Sequence, residues 1–132
     1  MAMFKRIAEN EALFRPEYAR KIFHGIYRFG AGAAHSNMYV VECGGPSVMF
    51  DTGWPESTEY VLKQFEYMRV DPLSVEAIIV SHPHSDHVGN IARMKALIGC
   101  QVVAEERDAW VLETGDPVAS WMGLRSTDPR ME

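Results

Sequence analysis

The sequence predicts an α/β layer, on three observations. Short runs dense in Ile, Val, Phe and Tyr, residues that favour extended backbone, occupy positions 21–29, 37–43 and 47–50. Beyond them, stretches with apolar residues at helical spacing alternate with short apolar runs, the order that lays helices on a sheet. The residues best suited to chemistry stand where a predicted strand gives way to a predicted helix, and sites in open α/β sheets gather at the carboxyl ends of strands.

Each element has its own signal. Residues 1–20 are charged, carry Leu13, Phe14 and Tyr18 and are interrupted by Pro16, so they read as an arm or a short helix. Residues 21–29 (KIFHGIYRF) read as one strand, with His24 inside it as a structural residue. Residues 30–36 form a Gly- and Ala-rich loop that holds His35. Residues 37–43 and 47–50 are two strands joined through Gly44, Gly45 and Pro46 as a hairpin. Asp51, Thr52, Gly53 and Trp54 follow. Between 55 and 69, Val61, Leu62, Phe65 and Met68 recur at helical spacing, and the Asp71-Pro72 pair stops that helix. Residues 75–80 (VEAIIV) are almost wholly apolar, as expected of a strand buried on both faces. A second helix carries Val88, Ile91, Met94 or Lys95, and Ile98 at helical spacing and closes at Gly99. Residues 100–104 read as a strand and 105–114 as a helix with acidic residues at its start and Gly115 beyond its end. Residues 116–132 show no period and read as an irregular tail. The organisation expected is therefore an arm at 1–20, an αβ portion at 21–115 and a tail at 116–132.

Composition narrows the function classes. A chain of 132 residues makes one domain, and 47% hydrophobic with 23% charged residues is the mixture of a soluble globular protein. The net charge is −5 and the basic residues are scattered, which predicts no nucleic-acid partner. The apolar runs fall far short of the ~20 residues of a membrane helix, which predicts no membrane partner. The first residues lack the apolar stretch of a secretory signal, so the cytoplasm is the expected location. There Cys43 and Cys100 stay reduced, expected as buried thiols on strands. Trp110 and Trp121 are expected to pack.

The chemistry is concentrated in His82-x-His84-x-Asp86-His87, three His and one Asp within six residues. By chance such a pattern arises in roughly a few chains per ten thousand, so its place between an apolar strand and an amphipathic helix argues for a metal site. Imidazole nitrogen and carboxylate oxygen are ordinary zinc ligands. On extended backbone alternate side chains share a side, so His82 and His84 can grip one ion together. As the chain turns into the helix, Asp86 and His87 swing in from another direction to grip a second ion nearby, and two such ions can clamp a reacting oxygen.

These residues resemble the metallo-β-lactamase superfamily. Ser81-His82-Pro83-His84-Ser85-Asp86-His87-Val88-Gly89 is similar to its signature, usually Thr-His-x-His-x-Asp-His-x-Gly. Asn37-x-Tyr39-x-Val41 and Phe50-Asp51-Thr52-Gly53 are similar to the two strands that precede it, and 93–115 resembles the segment that follows it in β-lactamases of the third subclass. The resemblance spans about 22–115 and implies the first αβ half of a four-layer αβ/βα sandwich, truncated after the helix that follows the signature. It implies His82 and His84 on one ion and Asp86 and His87 on another, with Asp51 behind them accepting a hydrogen bond from a ligand His. The ions implied are zinc, up to two, although iron and manganese accept the same donors. The implied reaction is hydrolysis of a small-molecule ester, thioester, lactone or β-lactam by metal-activated water, with Asp86 as the catalytic residue that orients the water. His35 and Trp54 are candidates to line the substrate cleft.

The family pattern also needs ligands that this sequence does not show. No His follows His87, and Asp108, Asp116 and Asp128 lack the family's context for a bridging ligand. Each ion would have two protein ligands rather than the three usual at a catalytic zinc, so low or no activity is expected of the chain alone. The sheet face turned to a C-terminal half would be bare, and either that half or a second copy of the chain would cover it. The alternative function is a non-catalytic half-domain, an oligomeric metal-binding or interaction module.

Overall fold

In the first third, alternating large apolar residues fold back on one another wherever a glycine reverses the backbone. A computed structural model describes residues 18–30, 36–55 and 57–115. Strands β1 (Arg20–Phe23) and β2 (Ile26–Phe29) pair antiparallel across His24 and Gly25. The single strand expected over 21–29 is thus a hairpin. Gly25 holds φ at +72°, a backbone open to glycine, and His24 lies in the turn rather than in a strand. β3 (Met38–Glu42) and β4 (Ser47–Phe50) form the expected hairpin, turning through Gly44 and Gly45, both at positive φ. β5 (Val75–Ile79) and β6 (Gln101–Val103) then add in parallel, so the sheet runs β1-β2-β3-β4-β5-β6 in chain order. β5 is preceded by a 3-10 turn, Pro72–Ser74, capped by the Asp71 side chain, which accepts from the backbone N–H of Leu73.

Helix α1 (Thr58–Met68) follows β4. It ends before the Asp71-Pro72 pair, because Arg69 turns left-handed (φ 58°) and the N–H groups of Arg69 and Val70 reach back to Glu66 and Phe65. The helix expected after the His cluster is broken in two, α2 (Ser85–Val88) and α3 (Ile91–Ile98), separated by Gly89 and Asn90. α4 (Glu106–Thr114) begins at Glu105, whose carboxylate accepts from the N–H of Arg107.

The core lies on one face of the sheet. The registers put Tyr27, Phe29, Met38, Val40, Met49 and Ile78 on that face, all buried, against Val61 and Phe65 of α1 and Met94 of α3. Phe29 and Phe65 meet edge to face, 4.8 Å between centroids. Beside them the buried amide of Gln64 accepts from the N–H of Gly30 at 2.8 Å. The opposite face carries Ile26, Tyr39, Val41, Val48, Phe50, Ala77 and Ile79, all partly exposed, with Val103 beside Ile79 at 49%. β5 is therefore buried on one side, not on both.

Three smaller expectations are corrected. Cys43 is exposed just beyond β3, and Cys100 is buried just before β6, so neither thiol sits within a strand and one is open to solvent. Trp110 does not pack: it is 56% exposed on α4. Of the arm expected at 1–20, Arg20 instead opens β1 and residues 1–17 lie outside the described residues, as do His35, the tail and Trp121. Among the described residues no helix is long and apolar enough to cross a membrane.

Candidate metal centre

Two loops leave the carboxyl ends of the neighbouring parallel strands β4 and β5, and a ladder of hydrogen bonds straps them together. The N–H of Thr52 donates to the carbonyl of His87 at 2.7 Å, and that of Gly89 to the carbonyl of Gly53 at 3.0 Å, closing an isolated parallel bridge between Gly53 and Val88. The approach is so close that a Cβ on Gly89 would lie 2.2 Å from the backbone nitrogen of Pro55. Gly89 is thus required by space rather than by a special φ. Next to it Asn90 is a buried hub. Its amide nitrogen donates to Thr52 O (2.8 Å) and Ser57 Oγ (2.7 Å), and its amide oxygen accepts from Thr58 Oγ1 at 3.0 Å.

On this frame the expected side chains converge. Asp51 takes a left-handed backbone, φ 63°, which Asp tolerates better than most residues, and this turns its carboxylate towards the second loop. Oδ1 accepts from the N–H of Ser81 at 2.8 Å, and Oδ2 accepts from Ser81 Oγ at 2.5 Å and from His87 Nδ1 at 2.8 Å. Ser81 Oγ also lies 2.9 Å from His82 Nδ1. The His82 ring centroid is 4.8 Å from that of His84 and 4.1 Å from that of His87, and His87 Nε2 is 3.3 Å from Asp86 Oδ2. Two donor sets have their ligand atoms within 4.8 Å of one another: His82, His84 and Asp86; and Asp51, His82 and His87. His82 belongs to both.

The charges are uneven. Hydrogen bonding to Asp51 raises the His87 pKa above the ordinary imidazole value, with the carboxylates of Asp86 and Asp51 adding to the effect against burial. Burial lowers that of His82, helped by the neighbouring His87 and His84. Mixed nitrogen and oxygen donors, partly buried and crowded within one small volume, suit a divalent ion of the zinc class. A hollow of about 510 Å³ opens beside the cluster on the partly exposed sheet face. Ile26, Tyr39 and Phe50 line it together with Asp51, Ser81 and His87. Trp54 is half-buried and is not among the described residues that line this hollow. Its carbonyl instead accepts from Ser57 Oγ at 2.6 Å, anchoring the start of α1. Asn90 carried no sequence signal of its own, and Ser81 only its place at the head of the signature-like run. Their importance rests on partners some thirty to forty positions away.

Comparison with known proteins matches residues 31–123 to the family model described as the metallo-beta-lactamase superfamily. A hydroxyacylglutathione hydrolase of Bdellovibrio bacteriovorus is 34% identical over 61 residues, 40% of this chain and 24% of that protein. The beta-lactamase-like protein 2 homolog of Drosophila melanogaster is 26% identical over 80 residues, 61% of this chain and 26% of that protein. Among solved structures, BJP-1, a subclass B3 metallo-beta-lactamase of Bradyrhizobium japonicum, superposes with a TM-score of 0.70 at 28% identity, covering 77% of this chain and 38% of that one. MIM-1 of Novosphingobium pentaromativorans gives 0.69 at 28%, covering 84% and 37%. The chain therefore spans about a quarter of the curated relatives and under two-fifths of these structures. Its six-stranded sheet and helices match their N-terminal part.

Proposed function

The chain belongs to the metallo-β-lactamase superfamily, and on that premise we propose that it carries the metal-holding portion of a hydrolase of esters, thioesters, lactones or β-lactams. The observation that carries this reading is the gathering of His82, His84 and Asp86 in one donor set and of Asp51, His82 and His87 in another, with His87 Nε2 3.3 Å from Asp86 Oδ2. His82 and His84 would hold one ion and Asp86 and His87 a second, zinc foremost, with iron and manganese as other metals of suitable chemistry. Bound there, the ions supply Lewis acidity and a water made acidic enough to react near neutral pH. The chain's own residues do the rest. Asp86 orients the reacting water, Asp51 fixes the His87 ring through Nδ1, and Tyr39 and Phe50 give the adjoining hollow an apolar wall for a small substrate. The relative named hydroxyacylglutathione hydrolase favours a thioester, and the neighbours named as lactamases favour a lactam. A reducing cytoplasm suits the two free cysteines.

Elemental analysis tests the metal reading. With two protein ligands per ion the chain should bind zinc more weakly than a complete family member, and His84→Ala combined with His87→Ala should abolish whatever zinc it holds. Unchanged zinc in that variant would place the metal elsewhere. Two ligands per ion are fewer than a catalytic zinc usually has, so the 132-residue chain should hydrolyse a thioester or β-lactam far more slowly than a complete family member. Fast turnover that chelation removes would mean that a second copy completes each ion.

A second reading rests on the partly exposed sheet face. There Ile26, Tyr39, Val41 and Phe50 suit cover by a C-terminal half or by a second copy of the chain, and in the latter case the protein is an oligomeric metal-binding module. Sedimentation of the purified chain separates the two: a self-covered face gives dimers at micromolar concentration, and a face meant for a C-terminal half gives monomers or disordered aggregates.

A further inference from the structure

Asp51 touches His87 directly, but it also reaches His82, through one hydroxyl. Ser81 Oγ lies 2.5 Å from Asp51 Oδ2 and 2.9 Å from His82 Nδ1. An ionised carboxylate only accepts hydrogen bonds, so the single hydroxyl proton of Ser81 is committed to Asp51. What remains on Ser81 towards His82 is a lone pair, and a lone pair needs a donor. We infer that Ser81 is a positioning residue that fixes His82 in the tautomer with its proton on Nδ1, so that Nε2 keeps its lone pair for a metal ion.

The consequence is a division of labour behind the metal ligands. Asp51 Oδ2 serves two imidazoles, His87 at 2.8 Å without an intermediary and His82 through Ser81. Both rings then offer Nε2. The N–H of Ser81, donating to Asp51 Oδ1 at 2.8 Å, keeps the hydroxyl beside the carboxylate at the point where β5 ends and the His loop begins. A second carboxylate against His82 would do the same job by adding another negative charge beside Asp51 and Asp86, whereas a hydroxyl passes on the orientation without one. The inference deepens the metal-site reading, but its first test needs no ion.

That test is the imidazole nitrogen NMR spectrum of the metal-free, full 132-residue chain, recorded where imidazole is neutral. His82 should show a protonated Nδ1 and a bare Nε2. Ser81→Ala should shift the population towards Nε2–H, and Ser81→Thr, which keeps the hydroxyl, should restore the native pattern. Native His82 protonated on Nε2, or a Ser81→Ala spectrum identical to the native one, would overturn the inference. The second test is a zinc titration against a competing chelator. Ser81→Ala should weaken the ion held by His82 and His84 by about 10–100-fold and leave the ion on Asp86 and His87 unchanged. A general loosening of the fold would weaken both ions together, and that outcome, or no weakening, also counts against the relay. If the native chain takes up no zinc at all, the metal reading fails while the tautomer measurement still decides the role of Ser81.

Discussion

Asp51 shows how much can rest on one side chain. A non-glycine residue at positive φ gives up backbone comfort, and here the return is a carboxylate with three donors around it. The two histidines nearest it respond in opposite senses. His87 has its pKa raised, so its stabilising interaction is fully present below the unfolded imidazole value and is lost as pH rises through the higher folded one. His82 has its pKa lowered by burial, so its neutral form suits the fold at higher pH, and stability falls as pH drops from the unfolded value towards the lower folded one. An NMR titration of the metal-free chain should therefore find His87 titrating above His82, and Asp51→Asn should bring the His87 midpoint down towards the ordinary value. An unmoved His87 midpoint would show that Asp51 is not its chief partner. At this scale the sequence is legible where chemistry is contiguous. His82, His84, Asp86 and His87 declare themselves within six positions, and Asp51 stands in a recognisable Asp-Thr-Gly run. Ser81 shows only its place at the head of the signature-like run and Asn90 shows nothing, because a serine or asparagine acquires its role from what folding brings opposite it.

At the scale of elements, the strap between the β4 and β5 loops sets the tolerance of the site to change. Gly89→Ala would drive a methyl group into Pro55, so the Gly53–Val88 bridge would have to open. The expected cost is about 2–3 kcal/mol or more in urea denaturation, together with weaker zinc binding. A cost under about 0.5 kcal/mol would mean that the loops are held by other contacts. Phe65→Ala tests the packing of α1 on the sheet. Phe65 is fully buried against Phe29, and its removal should cost about 3–5 kcal/mol. Helix α1 was readable because Val61 and Phe65 carry the helical period, and the β3–β4 hairpin because its turn is rich in glycine. The β1–β2 hairpin was hidden. Ile22 and Phe23, then Ile26 and Tyr27, keep a strand-like composition on both sides of His24-Gly25, so nothing but one glycine marks the reversal. The break between α2 and α3 was hidden for another reason: the helical spacing runs on through Gly89, whose backbone is still helical, and the chain leaves the helix at Asn90 (φ −111°, ψ 10°), whose side chain is held by Thr52, Ser57 and Thr58.

For the whole molecule, the two faces of the sheet set its behaviour. The helical side is closed over a core, while the other side keeps a row of half-exposed apolar residues beside the His and Asp cluster. The apolar run of β5 announces burial on both faces, and a sequence cannot say whether the second cover lies within the described residues. Val41→Lys, in the middle of that row, should lower self-association in sedimentation velocity and reduce binding of a hydrophobic dye while leaving zinc content unchanged. Undiminished association would place the contact on another surface. The order of the strands has a different consequence. Every described strand pairs with the described strand before it, and the detours between partners hold at most one or two short helices with their turns. Loop-closure entropy is therefore small at each step, and the sheet can grow in the order of synthesis, each new strand finding its template already laid down. The loops that carry Asp51 and the His cluster meet only after β5 has docked, so on a growing chain these side chains come together in a single step rather than one by one.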